Sequence, residues 1–294
     1  MIFLKNKNLV LLSILITFQL LNISAQSNIK VVLLGGQSNM AGRGVYSKLS
    51  NEDKQRIEQV KSRVLVVSQS KEATPLSYSK ADKRKKEFGP ELFIGVTLAE
   101  QFPNDTFLFI KTAVGGTSLH GAWSPDWTQE KAIASERGEA RQKMKLYHDH
   151  IKSIHANLTQ LEQEGKSYDI IGMAWMQGEK DTRLELSASE YESNLKRLIQ
   201  AYEIEFKIEN MPFVFGQINN PSRTKDYQKG VQVVRSAMTN VANSSDFIHM
   251  IPTSMDTTWS DYPKHEDNVH YNCEGQKRLG SDMGKALIQL ITLP

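Results

Sequence analysis

The residues best suited to chemistry are a serine near the start of the chain and an aspartate–histidine pair near its end. Ser38 lies in Gly35-Gly36-Gln37-Ser38-Asn39-Met40-Ala41-Gly42-Arg43-Gly44, directly after the apolar run Lys30-Val31-Val32-Leu33-Leu34. Acyl transfer needs a hydroxyl nucleophile, a base to take its proton, a group to orient the base, and donors for the oxyanion. Ser38 supplies the first. His270 in Asp267-Asn268-Val269-His270 supplies the second, and Asp267 can fold back in one turn to hold its ring. The amides of Ser38 and Gly116, with the side-chain amide of Gln177, are the expected oxyanion donors. Ser38 sits between Gln37 and Asn39, so this is not the Gly-x-Ser-x-Gly elbow. A simpler reading makes Ser38 an ordinary cap on a strand-to-helix turn.

Such groups must be brought together by a scaffold, and the hydrophobic pattern supplies one. Apolar runs at 30–34, 63–67, 107–110, 169–176, 213–217 and 247–251 read as buried strands. Between them, 51–62, 92–101, 139–164, 189–207, 227–240 and 274–293 are compatible with helices. This alternation predicts an α/β protein, a three-layer α/β/α sandwich around a mostly parallel sheet. Three predicted strands end in Gln37-Ser38-Asn39, Gly115-Gly116-Thr117 and Gln177-Gly178-Glu179. An open sheet of this kind binds ligands beyond the carboxyl ends of its strands.

At these residues the chain resembles the carbohydrate esterases that include sialate O-acetylesterases and acetyl-xylan esterases, within the wider SGNH hydrolase group. The blocks that carry the likeness are GQSNMAGRG, VGGTS, QGEKD and DNVH, in that order from about Val31 to Leu290. The resemblance implies a flavodoxin-like sheet and serine esterase chemistry with no metal or other cofactor. It also implies an acetylated carbohydrate as substrate. Ser38 matches the nucleophile, His270 the base, and Gly116 and Gln177 the oxyanion donors. The acid partner of His270 is either Asp267 or Glu179. The short Asp-x-x-His spacing favours Asp267.

Substrate contacts are expected from Gln37, Asn39 and Arg43 beside the serine, and from Trp123, Trp127 and Trp259. Aromatic faces bind the apolar surfaces of sugars, although each tryptophan could equally pack in the core. Arg43 would neutralise a carboxylate, most simply one of the protein's own. His148, His150 and His155 fall in one predicted helix and read as a solvated face, their spacing being poor for a metal pair.

Lys5 and Lys7, the apolar segment 9–21 and Asn22-Ile23-Ser24-Ala25 describe a secretory signal peptide over 1–25, a retained N-terminal anchor being the alternative, with a single esterase domain over 26–294. The protein is therefore expected to be secreted or periplasmic. Loss of the two lysines would lower the formal charge from +3 to +1, so nothing points to nucleic acid or, once the signal is removed, to a membrane. The single cysteine, Cys273, excludes an internal disulfide. The oligomeric state is not written in the sequence. Rival readings are a catalytically silent glycan-binding domain, an SGNH lipase, thioesterase or peptidoglycan deacetylase, and a metal hydrolase using the histidine-bearing helix.

Overall fold

The structure is a computed structural model that describes residues 28–68, 72–78, 86–219, 225–254, 256 and 260–293. The expected signal segment, Trp259 and most of the basic run 83–86 lie outside these residues.

Seven strands form the main sheet: β1 (Asn28–Gly36), β2 (Val64–Ser68), β3 (Thr74–Pro75), β4 (Thr106–Ala113), β5 (Ser167–Met176), β6 (Phe213–Gly216) and β7 (Ile248–Ile251). Their order is β3-β2-β4-β1-β5-β6-β7, and every pairing is parallel except that of β3 with β2. The expected architecture is therefore present, with an antiparallel edge strand added in the stretch around Pro75. Proline cannot donate to a ladder, so an edge is where it fits.

Ten helices accompany the strands among the described residues: α1 (Ser38–Ala41), α2 (Asn51–Val60), α3 (Glu91–Gln101), α4 (Gln129–Ser135), α5 (Glu139–Gln142), α6 (Leu146–Gln163), α7 (Glu185–Ser189), α8 (Tyr191–Phe206), α9 (Lys225–Ala242) and α10 (Cys273–Ile291). Strand periodicity divides the core between them. Val31 and Leu33 of β1 pack into one cluster with Ile154 of α6, Leu195 and Leu198 of α8, and Val234 of α9. Val32 and Leu34 face the other cluster, with Ile57 of α2, Leu92 and Val96 of α3, and Leu279 and Met283 of α10. Burying each such side chain fully is worth about 1.5–3 kcal/mol. A continuous apolar run such as 31–34 is what a strand covered on both faces requires.

Two local expectations change. The long helix read over 139–164 is broken at Lys143–Lys145, where the Leu146 amide bonds the Ala122 carbonyl at 2.7 Å. The aperiodic stretch after His120 contains α4, capped by the Thr128 hydroxyl, which accepts from the Lys131 amide at 3.2 Å. No described helix is long and apolar enough to cross a membrane.

Candidate active site

β1 sits at the centre of the sheet and delivers Ser38 at its carboxyl end. The chain turns there through Gly36 (φ +148°), where a Cβ would lie 2.1 Å from the Met176 carbonyl oxygen, so no larger residue fits. Gly42 (φ +98°) closes the one-turn α1, its amide bonding the Ser38 carbonyl at 2.9 Å. Within this turn Gln37 is 3% exposed and Asn39 1% exposed, while Ser38 between them is only half-buried. The buried Lys111 ammonium supports the turn from below. It pairs with Glu91 at 2.6 Å and donates to the Ala41 carbonyl at 3.3 Å.

His270 lies in the loop before α10. Its Nδ1 is 2.6 Å from Asp267 Oδ2, and Asp267 Oδ1 accepts from the Val269 and His270 amides, each at 2.9 Å. Partial burial pushes the Asp267 carboxyl up. Hydrogen bonds from the His270 ring and from the two amides outweigh that and hold it at about 2. The carboxylate is thus ionised wherever an imidazole can serve as a base. Asn272 then caps α10 by accepting from the Glu274 and Gly275 amides.

Asn39 joins these two segments. Its Nδ2 donates to the Val269 carbonyl at 3.1 Å, and its Oδ1 accepts from the Tyr271 amide at 3.1 Å. The residues on either side of His270 are therefore tied to the residue that follows Ser38. Behind Asn39 lies Glu179, just past β5. Its carboxylate accepts from Asn39 Nδ2 at 2.9 Å and from Gln37 Nε2. Burial pushes the Glu179 carboxyl up, against those hydrogen bonds and the nearby His270. The His270 ring thus pairs with Asp267, and Glu179 serves the serine's neighbours.

The glycine turn after β4 comes close to the serine. A Cβ on Gly115 would lie 3.5 Å from Ser38 Cβ, and Gly116 has φ +72°. Beyond it, Asp181 accepts from the Leu119 and His120 amides, from Gln177 Nε2 at 2.5 Å and from the Ser187 hydroxyl at 2.6 Å. Glu136 holds the same loop, accepting from the Ser118 amide, the Ser118 hydroxyl and the Ala122 amide. Asp181 is in the QGEKD block, yet neither it nor Glu136 carries a motif or spacing that marks this use. A carboxylate on a loop has no spacing signal when its partners are backbone amides of another loop.

Several sequence expectations need correction. Gln177 was expected to aim its amide at an oxyanion. Both of its Nε2 hydrogens are instead engaged, by the Thr117 carbonyl at 3.1 Å and by Asp181. Gln37 and Asn39 are buried and committed to Glu179, so they do not face substrate. Exposed Arg43 pairs with Glu87 at 3.3 Å, the protein carboxylate being its partner. Trp123 is 0% exposed and packs edge-on against Trp175, with ring centroids 4.9 Å apart, so it is a core residue. Trp127 is half-buried, and the Lys145 ammonium stands 4.2 Å from its ring centroid, covering one face. Trp259 lies outside the described residues.

The histidines of α6 do not form one solvated face. His150 is buried between the Tyr202 hydroxyl at 2.7 Å and the Ile110 carbonyl at 3.1 Å, and desolvation lowers its pKa to about 4. His155 pairs with Glu205 at 2.6 Å. Cys273 is a free, half-buried thiol whose pKa burial pushes up, which disfavours the nucleophilic thiolate.

One cation, Arg141, stands at the glycine turn, and a second, Lys180, interacts electrostatically with it. Arg141 Nε donates to the Gly115 carbonyl at 3.3 Å, and a Cβ on Gly116 would lie 3.9 Å from its guanidinium. Half-buried Lys180 follows Glu179. Burial pushes its ammonium down, and Arg141 and Arg183 act in the same direction against Glu136 and Asp181. Among the described residues neither Arg141 nor Lys180 forms an ion pair with a carboxylate.

Comparison with known proteins adds an independent finding. A sequence model of the family described as carbohydrate esterase, sialic acid-specific acetylesterase matches residues 28–289. No curated protein matches the chain in sequence. Among solved structures, a protein from Arabidopsis thaliana superposes with a TM-score of 0.64 at 19% identity, covering 89% of this chain and 98% of that one. NanS gives 0.60 at 14% identity, covering 90% and 98%. A carbohydrate acetylesterase from Xanthomonas citri gives 0.59 at 15% identity, covering 89% of this chain and 56% of that one. At these identities the three structures establish a shared fold.

Proposed function

The chain belongs to the carbohydrate esterase, sialic acid-specific acetylesterase family and is a carboxylic ester hydrolase; from that premise we propose that it removes O-acetyl groups from sugars by a Ser38–His270–Asp267 mechanism. The observation that carries the proposal is the Asp267–His270 pair, held through Asn39 against the segment that presents Ser38. Ser38 Oγ attacks the acetyl carbonyl carbon, and His270 Nε2 takes the hydroxyl proton. Asp267 holds the Nδ1 proton and stabilises the imidazolium that forms. The amide of Ser38 opens α1 and so has no acceptor within that helix. With the Gly116 amide it receives the oxyanion. When the carbon–oxygen bond to the sugar breaks, His270 returns its proton to the departing alkoxide. Water then attacks acetyl-Ser38, again with His270 as base, and acetate leaves.

Ser38→Ala removes the nucleophile, and release of acetate from a chromogenic acetyl ester and from acetylated sugars is the measurement. On the precedent of serine hydrolases the loss in kcat should approach ~10⁶-fold. Full activity in that variant would end the proposal.

Arg141 favours an acidic sugar over neutral acetylated xylan. Half-buried Arg141, bonded to the Gly115 carbonyl and with no carboxylate ion pair among the described residues, is suited to an anion on the substrate. Comparing acetylated sialic acid with acetylated xylan, scored for free acetate, separates the two classes. The apolar 9–21 segment and its flanks support export with cleavage near Ala25. N-terminal sequencing of the mature protein tests that part.

A further inference from the structure

Asn39 is adjacent to Ser38 in the chain, yet its side chain is spent on the far terminus. The carboxamide donates twice, to Glu179 Oε1 at 2.9 Å and to the Val269 carbonyl at 3.1 Å, and accepts once, from the Tyr271 amide at 3.1 Å. Val269 and Tyr271 bracket His270. One planar group, 1% exposed, therefore holds the base's backbone on both sides while its own backbone continues from the nucleophile. Other bonds join the same segments. Gln276 Nε2 donates to the Asn39 carbonyl at 3.2 Å, and His265 Nε2 lies 3.0 Å from the Arg43 carbonyl. Those bonds reach the chain well before or after His270. Among the described residues, only the Asn39 side chain reaches both of its immediate neighbours.

The direction in which that carboxamide faces is set by chemistry. Glu179 Oε1 accepts from Asn39 Nδ2 at 2.9 Å, which points the NH2 end of Asn39 at the carboxyl group. The same rotation places the second N–H on the Val269 carbonyl and leaves Oδ1 for the Tyr271 amide. A flipped amide would set oxygen against the carboxylate, carbonyl beside carbonyl, and N–H against N–H. Gln37, on the other side of Ser38, gives its Nε2 to the second oxygen of Glu179. The titratable groups whose charge acts together with that of Glu179 are His270, Tyr191 and Tyr271.

We propose that Asn39 is a positioning residue that sets His270 in register with Ser38, and that Glu179 fixes the orientation in which it does so. The proposal rests on the esterase reading, in which Ser38 and His270 react together, but it makes a separate claim. Neither residue touches the substrate. Their removal therefore lowers kcat without weakening binding, and the two depend on one another.

Asn39→Asp keeps the shape and the acceptor for Tyr271 but sets a second carboxylate against Glu179. A misplacement of about 1 Å at a reacting pair costs ~10²-fold, and that is the fall in kcat expected here, with KM within about threefold of the parent. Labelling of Ser38 by a serine-reactive phosphonate slows in parallel. Glu179→Gln in the Asn39→Asp background can donate back to the new carboxylate, so the double variant should regain about tenfold over Asn39→Asp alone, a coupling that independent sites do not show. If Asn39→Asp does not fold, Glu179→Gln alone should still lose about tenfold in kcat at unchanged KM, since one hydrogen bond to a charged group is of that order. Parent-like kcat in Asn39→Asp, losses that multiply in the double variant, or a rise in KM that accounts for the loss each overturn the positioning claim. Ser38→Ala keeps the two readings apart. If that variant is active, the esterase reading fails, whereas an inactive Ser38→Ala beside a fully active Asn39→Asp sinks the positioning claim alone.

Discussion

Glu179 and Asp181 stand two residues apart past the same strand, both buried and both with carboxyls pushed up by burial. They organise different halves of the site. Glu179 accepts from the side-chain amides of Gln37 and Asn39, and so governs the nucleophile and, through Asn39, the base. Asp181 accepts from the backbone amides of Leu119 and His120 and from Gln177, and so governs the loop carrying the glycine turn. Asp267 is the contrast to both. It is half-exposed, and its donors, the His270 ring and the Val269 and His270 amides, all lie within three residues of it. A buried carboxylate is costly unless its lone pairs are filled, so each buried one gathers a shell of donors and thereby fixes distant segments. A half-exposed carboxylate satisfied by its own turn fixes no distant segment and works with the base alone.

That contrast is most severely tested by comparing Asp267→Asn with Glu179→Gln. The first should cost ~10⁴-fold in kcat, because the ring loses the partner that sets its tautomer. The second should cost far less. Equal losses in steady-state kcat would erase the distinction between reacting and framing carboxylates. Next in size is Asp181→Asn, whose NH2 in place of Oδ2 opposes the Leu119 amide and Gln177 Nε2. A disturbed oxyanion turn should lower kcat by ~10²-fold. The unsatisfied donors should lower stability by roughly 1–3 kcal/mol, read from denaturant unfolding. Unchanged kcat would detach Asp181 from the oxyanion half.

Arg141→Gln sharpens the same half at the substrate level. It should raise KM about tenfold for an acetylated acidic sugar, the worth of one hydrogen bond to a charged group, and leave a neutral acetyl ester unaffected. A parallel rise for both would mean that Arg141 acts on the turn alone. The smallest effect on activity concerns the core behind this loop, where Trp123 meets His150. The His150 pKa is lowered in the fold, so the ring is neutral there at pH 7, while the unfolded chain takes up its proton near 6.5. The stabilising contribution is therefore present above about pH 6.5 and lost as pH falls towards about 4, on the order of 3 kcal/mol in all. Midpoints of denaturant unfolding between pH 7 and 4 should show this slope in the parent and a flatter one in His150→Gln.

Much of this protein is legible in one dimension. The alternation of apolar strands with amphipathic helices specifies a mostly parallel sheet, and the buried face of α8 at Tyr191, Leu195, Leu198 and Tyr202 follows directly from helical spacing. Asp267 and His270 were equally readable as a pair, because three residues in a tight turn bring their side chains together without help from elsewhere. The aromatic residues were less readable. Trp123 and Trp127 look alike in a polar loop, but one is enclosed by Trp175 and His150 and the other carries Lys145 on its face.

By itself the sequence determined which groups are chemically able and where the strands that carry them must end, since residue type and local period are properties of the chain alone. The fold decided what each polar group is used for. Gln177 serves Asp181, Gln37 and Asn39 serve Glu179, and Arg141 stands beside the turn, because a hydrogen bond is assigned by what lies within about 3 Å in space. For residues 140 or 230 positions apart, no spacing along the chain records that distance.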